Sequence, residues 1–184
     1  MMKVSFELSN KDLRFFRERL KQVRRGHGTR DESAVIHGAA ALAKEAVEVG
    51  APDFVLQRIG ILEKLIGMVT DLEWRLEGAD RRRILDALAY FVDPDDLIPD
   101  KIPGLGFIDD AIMIELVARE LVHEIAAYDD FCAFRKIRPK SEASANLEAR
   151  RKALHARMRR RRRREREIGR HSRGRSISSR IRLW

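Results

Sequence analysis

The sequence predicts an all-α fold: a small bundle of four to five helices, broken by one loop rich in proline, glycine and aspartate and followed by a basic C-terminal extension. Three observations predict it. Apolar residues recur at spacings of three and four through most of residues 13–132. Stop and restart signals such as Gly50-Ala51-Pro52-Asp53 separate the periodic segments. No segment shows the period-two alternation of a strand, and no internal repeat is present.

The first helix opens at Ser9, an N-cap residue type, with Asp12 in the first turn. Leu13, Phe16, Leu20 and Val23 form its apolar stripe, and Gly26-His27-Gly28 ends it. A second helix opens at Asp31-Glu32 and carries an alanine-rich face through Ala43 to Val49 that suits close helix–helix approach. The third has the strongest periodicity: Val55, Ile59, Leu62, Ile66, Val69, Leu72 and Leu76, a bundle-core stripe or an oligomer seam. Asp80 is expected to cap a fourth helix, with Ile84, Leu85, Leu88 and Phe91 inward. Asp109 or Asp110 is expected to start a fifth, buried along Met113, Val117, Leu121, Ile125, Tyr128 and Cys132.

Charge divides the chain. Residues 149–184 hold 15 Arg and 1 Lys against Glu165 and Glu167, a net of +14, so the overall +9 leaves −5 for residues 1–148. This asymmetry marks an interaction extension. We therefore divide the chain into a helical domain over 1–138 and an Arg-rich extension, partly helical or disordered, over 139–184. Beyond Pro139, Leu147, Leu154, Met158 and Ile168 look isolated and give no continuous packing face, so a chain ending near Pro139 is expected to fold by itself. The one cysteine, Cys132, excludes an internal disulfide and fits a reducing compartment; Phe131 and Phe134 beside it suggest a packed thiol. No run approaches the roughly 18–20 apolar residues of a membrane span, and the N-terminus lacks a secretory core, so a cytoplasmic location is expected, with peripheral membrane placement as the variant.

The loop between the fourth and fifth helices is unlike a linker. It reads Tyr90, Asp93-Pro94-Asp95-Asp96-Leu97-Ile98-Pro99-Asp100, Pro103-Gly104-Leu105-Gly106, Asp109-Asp110, with apolar residues placed between its turn residues. This string resembles the signature of the YkvA-like bacterial domain family, over roughly residues 81–120. The resemblance implies a domain of unknown function, and some YkvA-like proteins are membrane-associated. This chain lacks their hydrophobic spans.

Two chemistries suit the loop's residues. Asp93, Asp95, Asp96, Asp100, Asp109 and Asp110 supply the hard oxygen ligands that Mg²⁺ or Ca²⁺ takes, which would make a metal-dependent enzyme. Their spacing fails the EF-hand pattern, and each has a structural role available as a turn former or helix cap. Structural capping is the preferred reading. His123-Glu124 begins a zincin motif, but Ala127 stands where the second histidine belongs. Gly104-Leu105-Gly106 is a turn, not a dinucleotide loop, and no phosphate-binding loop or serine elbow is present. No cofactor and no catalytic residue is predicted.

The extension gives the leading functional expectation. Arg157, Arg159, Arg160, Arg161, Arg162, Arg163, Arg164 and Arg166 concentrate planar cations suited to phosphate. RNA or DNA contact through counterion release is the preferred reading. An anionic membrane surface is the runner-up, and a protein partner or homo-oligomer would use the folded body. Aromatic residues are absent from 139–183, which argues against sequence-specific single-strand recognition. The expected protein is thus a non-enzymatic binding or scaffold protein.

Overall fold

In a computed structural model the chain is described over residues 9–26, 31–92, 107–137 and 144–171. Among these are seven α-helices and no strand: α1 (Asn10–Gly26), α2 (Glu32–Glu48), α3 (Asp53–Thr70), α4 (Gly78–Leu88) running into a 3-10 turn (Ala89–Val92), α5 (Ile108–Glu120), α6 (Val122–Ile137) and α7 (Ser144–His171). The all-α class is as expected; the helix count exceeds four to five.

Local chemistry sets several boundaries. The Asp12 N–H donates to Ser9 Oγ at 3.3 Å while the Ser9 N–H donates to Asp12 Oδ2 at 2.9 Å, a reciprocal capping box at the start of α1. Helix α2 buries Ala39, Ala43 and Ala46 and packs mainly against α3. At Gly38 a Cβ would lie 2.7 Å from Val92 Cγ1, so only glycine lets the 3-10 turn approach this closely. Helix α3 is central: Val55, Ile59, Leu62, Leu65, Met68 and Val69 are buried, and it packs against α2, α4, α5 and α6.

Three sequence expectations need correction. The third helix does not continue to Leu76. It ends at Thr70, and the Asp71 carboxylate accepts the backbone N–H groups of Glu73 (2.9 Å) and Trp74 (3.1 Å), a side-chain turn that competes with the helix ladder. Leu72 is left 90% exposed, whereas Trp74 and Leu76 turn into the core.

The fifth helix is two helices, α5 and α6, with a break at Leu121. The carbonyl of Glu120 at that break accepts a 2.8 Å bond from Arg83 of α4.

The third correction concerns the C-terminal extension. Leu147, Leu154 and Met158 are not isolated. They are buried along one face of α7, and α7 makes its main packing contact with α6. Their spacing of seven and four is continued by Arg151 and Arg162, which fill the same seam with aliphatic stems and ionic heads. Arginines at seam positions interrupt the run of apolar letters, so the face that packs is not the one the sequence pattern marks.

Candidate functional site: the arginine helix and its carboxylate socket

Loop 71–77 and helices α4 and α6 bring the receiving groups for α7 together. Asp80 and Glu124 are buried. Asp80 Oδ2 accepts Arg159 Nε at 2.6 Å, and its Oδ1 lies 2.8 Å from Arg162 Nη2. The other Arg162 nitrogen, Nη1, reaches Glu124 Oε1 at 2.9 Å, where Arg83 Nε also pairs at 3.1 Å. One guanidinium thus bridges carboxylates from two helices, a use of its planar fork that a lysine could not reproduce. Burial pushes the Asp80 carboxyl up, but the bonds and charges of Arg159 and Arg162 outweigh it and hold it below the usual carboxylate range. Asp80 is therefore an ion-pair socket in the first turn of α4 rather than the cap expected from sequence; Glu77 occupies the cap position. Farther along, Arg157 pairs with Asp130, and His123 Nε2 lies 3.0 Å from Glu165 Oε2.

An aromatic cluster lies in the same region. Trp74 is fully buried, with ring centroids 5.5 Å from Tyr128, 5.1 Å from Phe131 and 4.3 Å from His155 of α7, the last edge-on at 88°. Asp71 anchors this side: Arg135 Nη1 donates to it at 2.7 Å and the Tyr128 hydroxyl at 3.1 Å. Burial pushes the His155 imidazole down to about 4, with the nearby Arg159 and Arg151 charges adding to the effect, so the ring is neutral at pH 7.

The structure divides the eight arginines assigned to polyanion contact. Arg157, Arg159 and Arg162 are engaged by carboxylates of the body. Arg160, Arg161, Arg163, Arg164 and Arg166 are exposed on the rest of α7. Of the six aspartates, Asp93, Asp95, Asp96 and Asp100 lie outside the described residues. Asp109 and Asp110 are buried in the first turn of α5, where the helix dipole favours negative charge. Neither holds the cap position, which is Phe107 in left-handed backbone (φ +66°). Among the described residues no three His, Cys, Asp or Glu are grouped so as to hold a metal ion. Cys132 is half-buried, packed at the core margin, with Arg135 Nη2 at 3.8 Å.

Sequence reasoning missed Asp80, Glu124, Trp74 and His155 as parts of one assembly. Arg151 and Arg162 continuing the Leu147–Leu154–Met158 spacing was the available signal.

Residues 82–116 match the model of a family described as a protein of unknown function, DUF1232. Over 43 residues the chain is 46% identical to an uncharacterized membrane protein, YkvA, of Bacillus subtilis (strain 168). That alignment covers 23% of this chain and 41% of the Bacillus protein, so the chain spans under half of the relative it matches. The chain therefore carries a YkvA-like segment, which begins in α4 and ends in α5. No solved structure matches the chain. No helix among the described residues is long and apolar enough to cross a membrane.

Proposed function

We propose that this is a non-enzymatic binding protein in which the helical body holds α7 in place and the outward arginines of α7 contact nucleic acid. The observation that carries this reading is the division within α7. Three arginines fix the helix to the body, which leaves Arg160, Arg161, Arg163, Arg164 and Arg166 exposed on a supported scaffold. A fixed row of guanidinium groups can neutralise phosphates without ordering a disordered segment first, so less conformational entropy opposes binding. Recognition through such contacts is sequence-blind and salt-dependent, and a cytoplasmic location belongs to this reading.

Binding of a fluorescent 20-base-pair DNA and the matching RNA duplex by the full chain tests it. If about five phosphates are neutralised on the DNA, log K should fall against log salt with a slope near −4.5. Replacing the five outward arginines by serine should flatten the slope without changing the melting temperature. Unchanged binding in that variant would remove α7 as the contact.

A peripheral membrane reading draws on the description of the Bacillus relative as a membrane protein and on Ile168, which is 68% exposed near the end of α7. Tight binding to phosphatidylserine vesicles beside negligible DNA and RNA binding at ~150 mM salt would select it.

A further inference from the structure

Between loop 71–77 and α7 lies a cleft of about 440 Å³, lined by Arg75, Glu77, Arg151, Lys152, His155, Ala156 and Arg159. Four permanent cations and a single carboxylate form this lining. Each cation also has a carboxylate neighbour: Arg75 pairs with Glu77 (3.0 Å), Arg151 and Lys152 with Glu148 (3.6 and 2.7 Å), and Arg159 with Asp80 (2.6 Å). Four cations thus stand against the three carboxylates Glu77, Glu148 and Asp80, which leaves a small net positive charge at the cleft.

One polar atom of the lining points to an occupant. His155 Nε2 is buried without a hydrogen-bond partner; behind it, outside the lining, Nε1 of the fully buried Trp74 is also without one, its ring 4.3 Å from that of His155. A neutral imidazole with its proton on Nε2 is a donor, and an indole N–H can only donate. Buried polar atoms left unsatisfied are uncommon and costly, and an acceptor-rich ligand would answer both charge and hydrogen bonding. Arg75 also stands in left-handed backbone (φ +50°), one of two non-glycine residues among those described to do so.

We propose that this cleft binds a single phosphate group, carried by a free phosphate compound, a lipid headgroup or a nucleic-acid backbone. A tetrahedral phosphate anion presents acceptor oxygens in more than one direction, which suits guanidinium, ammonium and imidazole donors arriving from two sides. The site is distinct from the outward arginines of α7 and does not depend on nucleic acid being their partner.

Trp74 reports on it through His155, whose ring lies 4.3 Å away. In a Trp184→Phe background it is the one remaining tryptophan, so inorganic phosphate titrated at constant ionic strength should change its fluorescence saturably. Arg75→Gln with Lys152→Gln removes two cations whose side chains are 64% and 71% exposed, so the fold should be untouched. Phosphate affinity should fall about tenfold in that double variant. Serine at Arg160, Arg161, Arg163 and Arg164 should leave phosphate affinity within about twofold while weakening duplex binding, which keeps failure of the cleft separable from failure of the α7 surface.

Competition then identifies the source. Displacement of phosphate by phosphatidic-acid vesicles assigns the group to a lipid headgroup, displacement by a short oligonucleotide assigns it to a nucleic-acid backbone, and displacement by neither assigns it to a free compound. Absence of saturation, equal response to chloride, or an undiminished response in the Arg75→Gln/Lys152→Gln protein would overturn the site.

Discussion

Arg159 and Arg162 lie three residues apart on α7 with Arg160 and Arg161 between them, and the two pairs have opposite surroundings. The outer pair of this stretch is bonded to Asp80 and Glu124, both almost wholly removed from water. Arg160 and Arg161 face solvent. Residue type is identical throughout, so the difference comes from helical phase and from the carboxylates that α4 and α6 provide. Two kinds of energetics follow. A desolvated carboxylate that loses its cations is left with an uncompensated charge, whereas an exposed arginine gives up little more than a hydrated side chain.

Removing α7 altogether should produce the largest effect. A chain ending at Ile137 would lose the burial of Leu147, Leu154 and Met158 and uncover the aromatic cluster around Trp74 and Phe131. At about 1.5–3 kcal/mol for each of these three buried side chains, the packing lost is worth about 4.5–9 kcal/mol, offset in part by the entropy no longer lost in ordering α7. That is comparable with the whole stability of an ordinary domain. Circular dichroism of 1–137 should show a sharply lowered or uncooperative melt. A melting temperature equal to that of the full chain would mean that α7 contributes nothing to the body.

Next in size is the contrast between neighbouring arginines. Arg162→Ala should cost about 3 kcal/mol, because Asp80 loses one of two partners and Glu124 keeps only Arg83. Arg161→Ala should stay within about 0.5 kcal/mol. Urea midpoints of the two variants decide the matter, and equal midpoints would erase the distinction between the two sets of arginines.

This contrast also shows where sequence reading reaches its limit. The helical class, the N-cap at Ser9 and the stripe from Val55 to Val69 were legible because each depends on residues near one another in the chain. The docking of α7 was not. Asp80, Glu124 and Arg162 are joined across 38 to 82 sequence positions, and each alone resembles a solvated surface charge. Trp74 follows a turn made by the Asp71 side chain, so the apolar period of α3 reads smoothly through a point where the helix has already stopped. The expected fate of the extension failed for a related reason: arginine stems replaced the aliphatic residues by which a packing face is ordinarily recognised. Of the eight candidate arginines, Arg157, Arg159 and Arg162 pair with carboxylates of the body, whereas Arg160, Arg161, Arg163, Arg164 and Arg166 keep the exposure their composition implied.

The smallest expected effect concerns pH, and it separates the neutral part of the α7 interface from its ionic part. His155 is about half buried, and its imidazole is pushed down to about 4 by burial first and then by Arg159 and Arg151, with Asp80 and Glu77 opposing. An unfolded histidine titrates near 6.5. Between these values the unfolded chain binds more protons than the folded one, so stability rises with pH across that window. The contribution is complete above about 6.5 and is lost as pH falls towards 4. Asp80 and Asp71 are held below their ordinary range, so their contributions disappear only at lower pH. Solvent screening of a half-exposed ring reduces the effect to about 1–2 kcal/mol. Urea midpoints should therefore be lower at pH 5 than at pH 7, and His155→Gln should flatten that difference while leaving the Arg162→Ala penalty in place. An unchanged pH profile in His155→Gln would show that protonation acts elsewhere and that burial beside Arg159 and Arg151 does not hold the imidazole neutral.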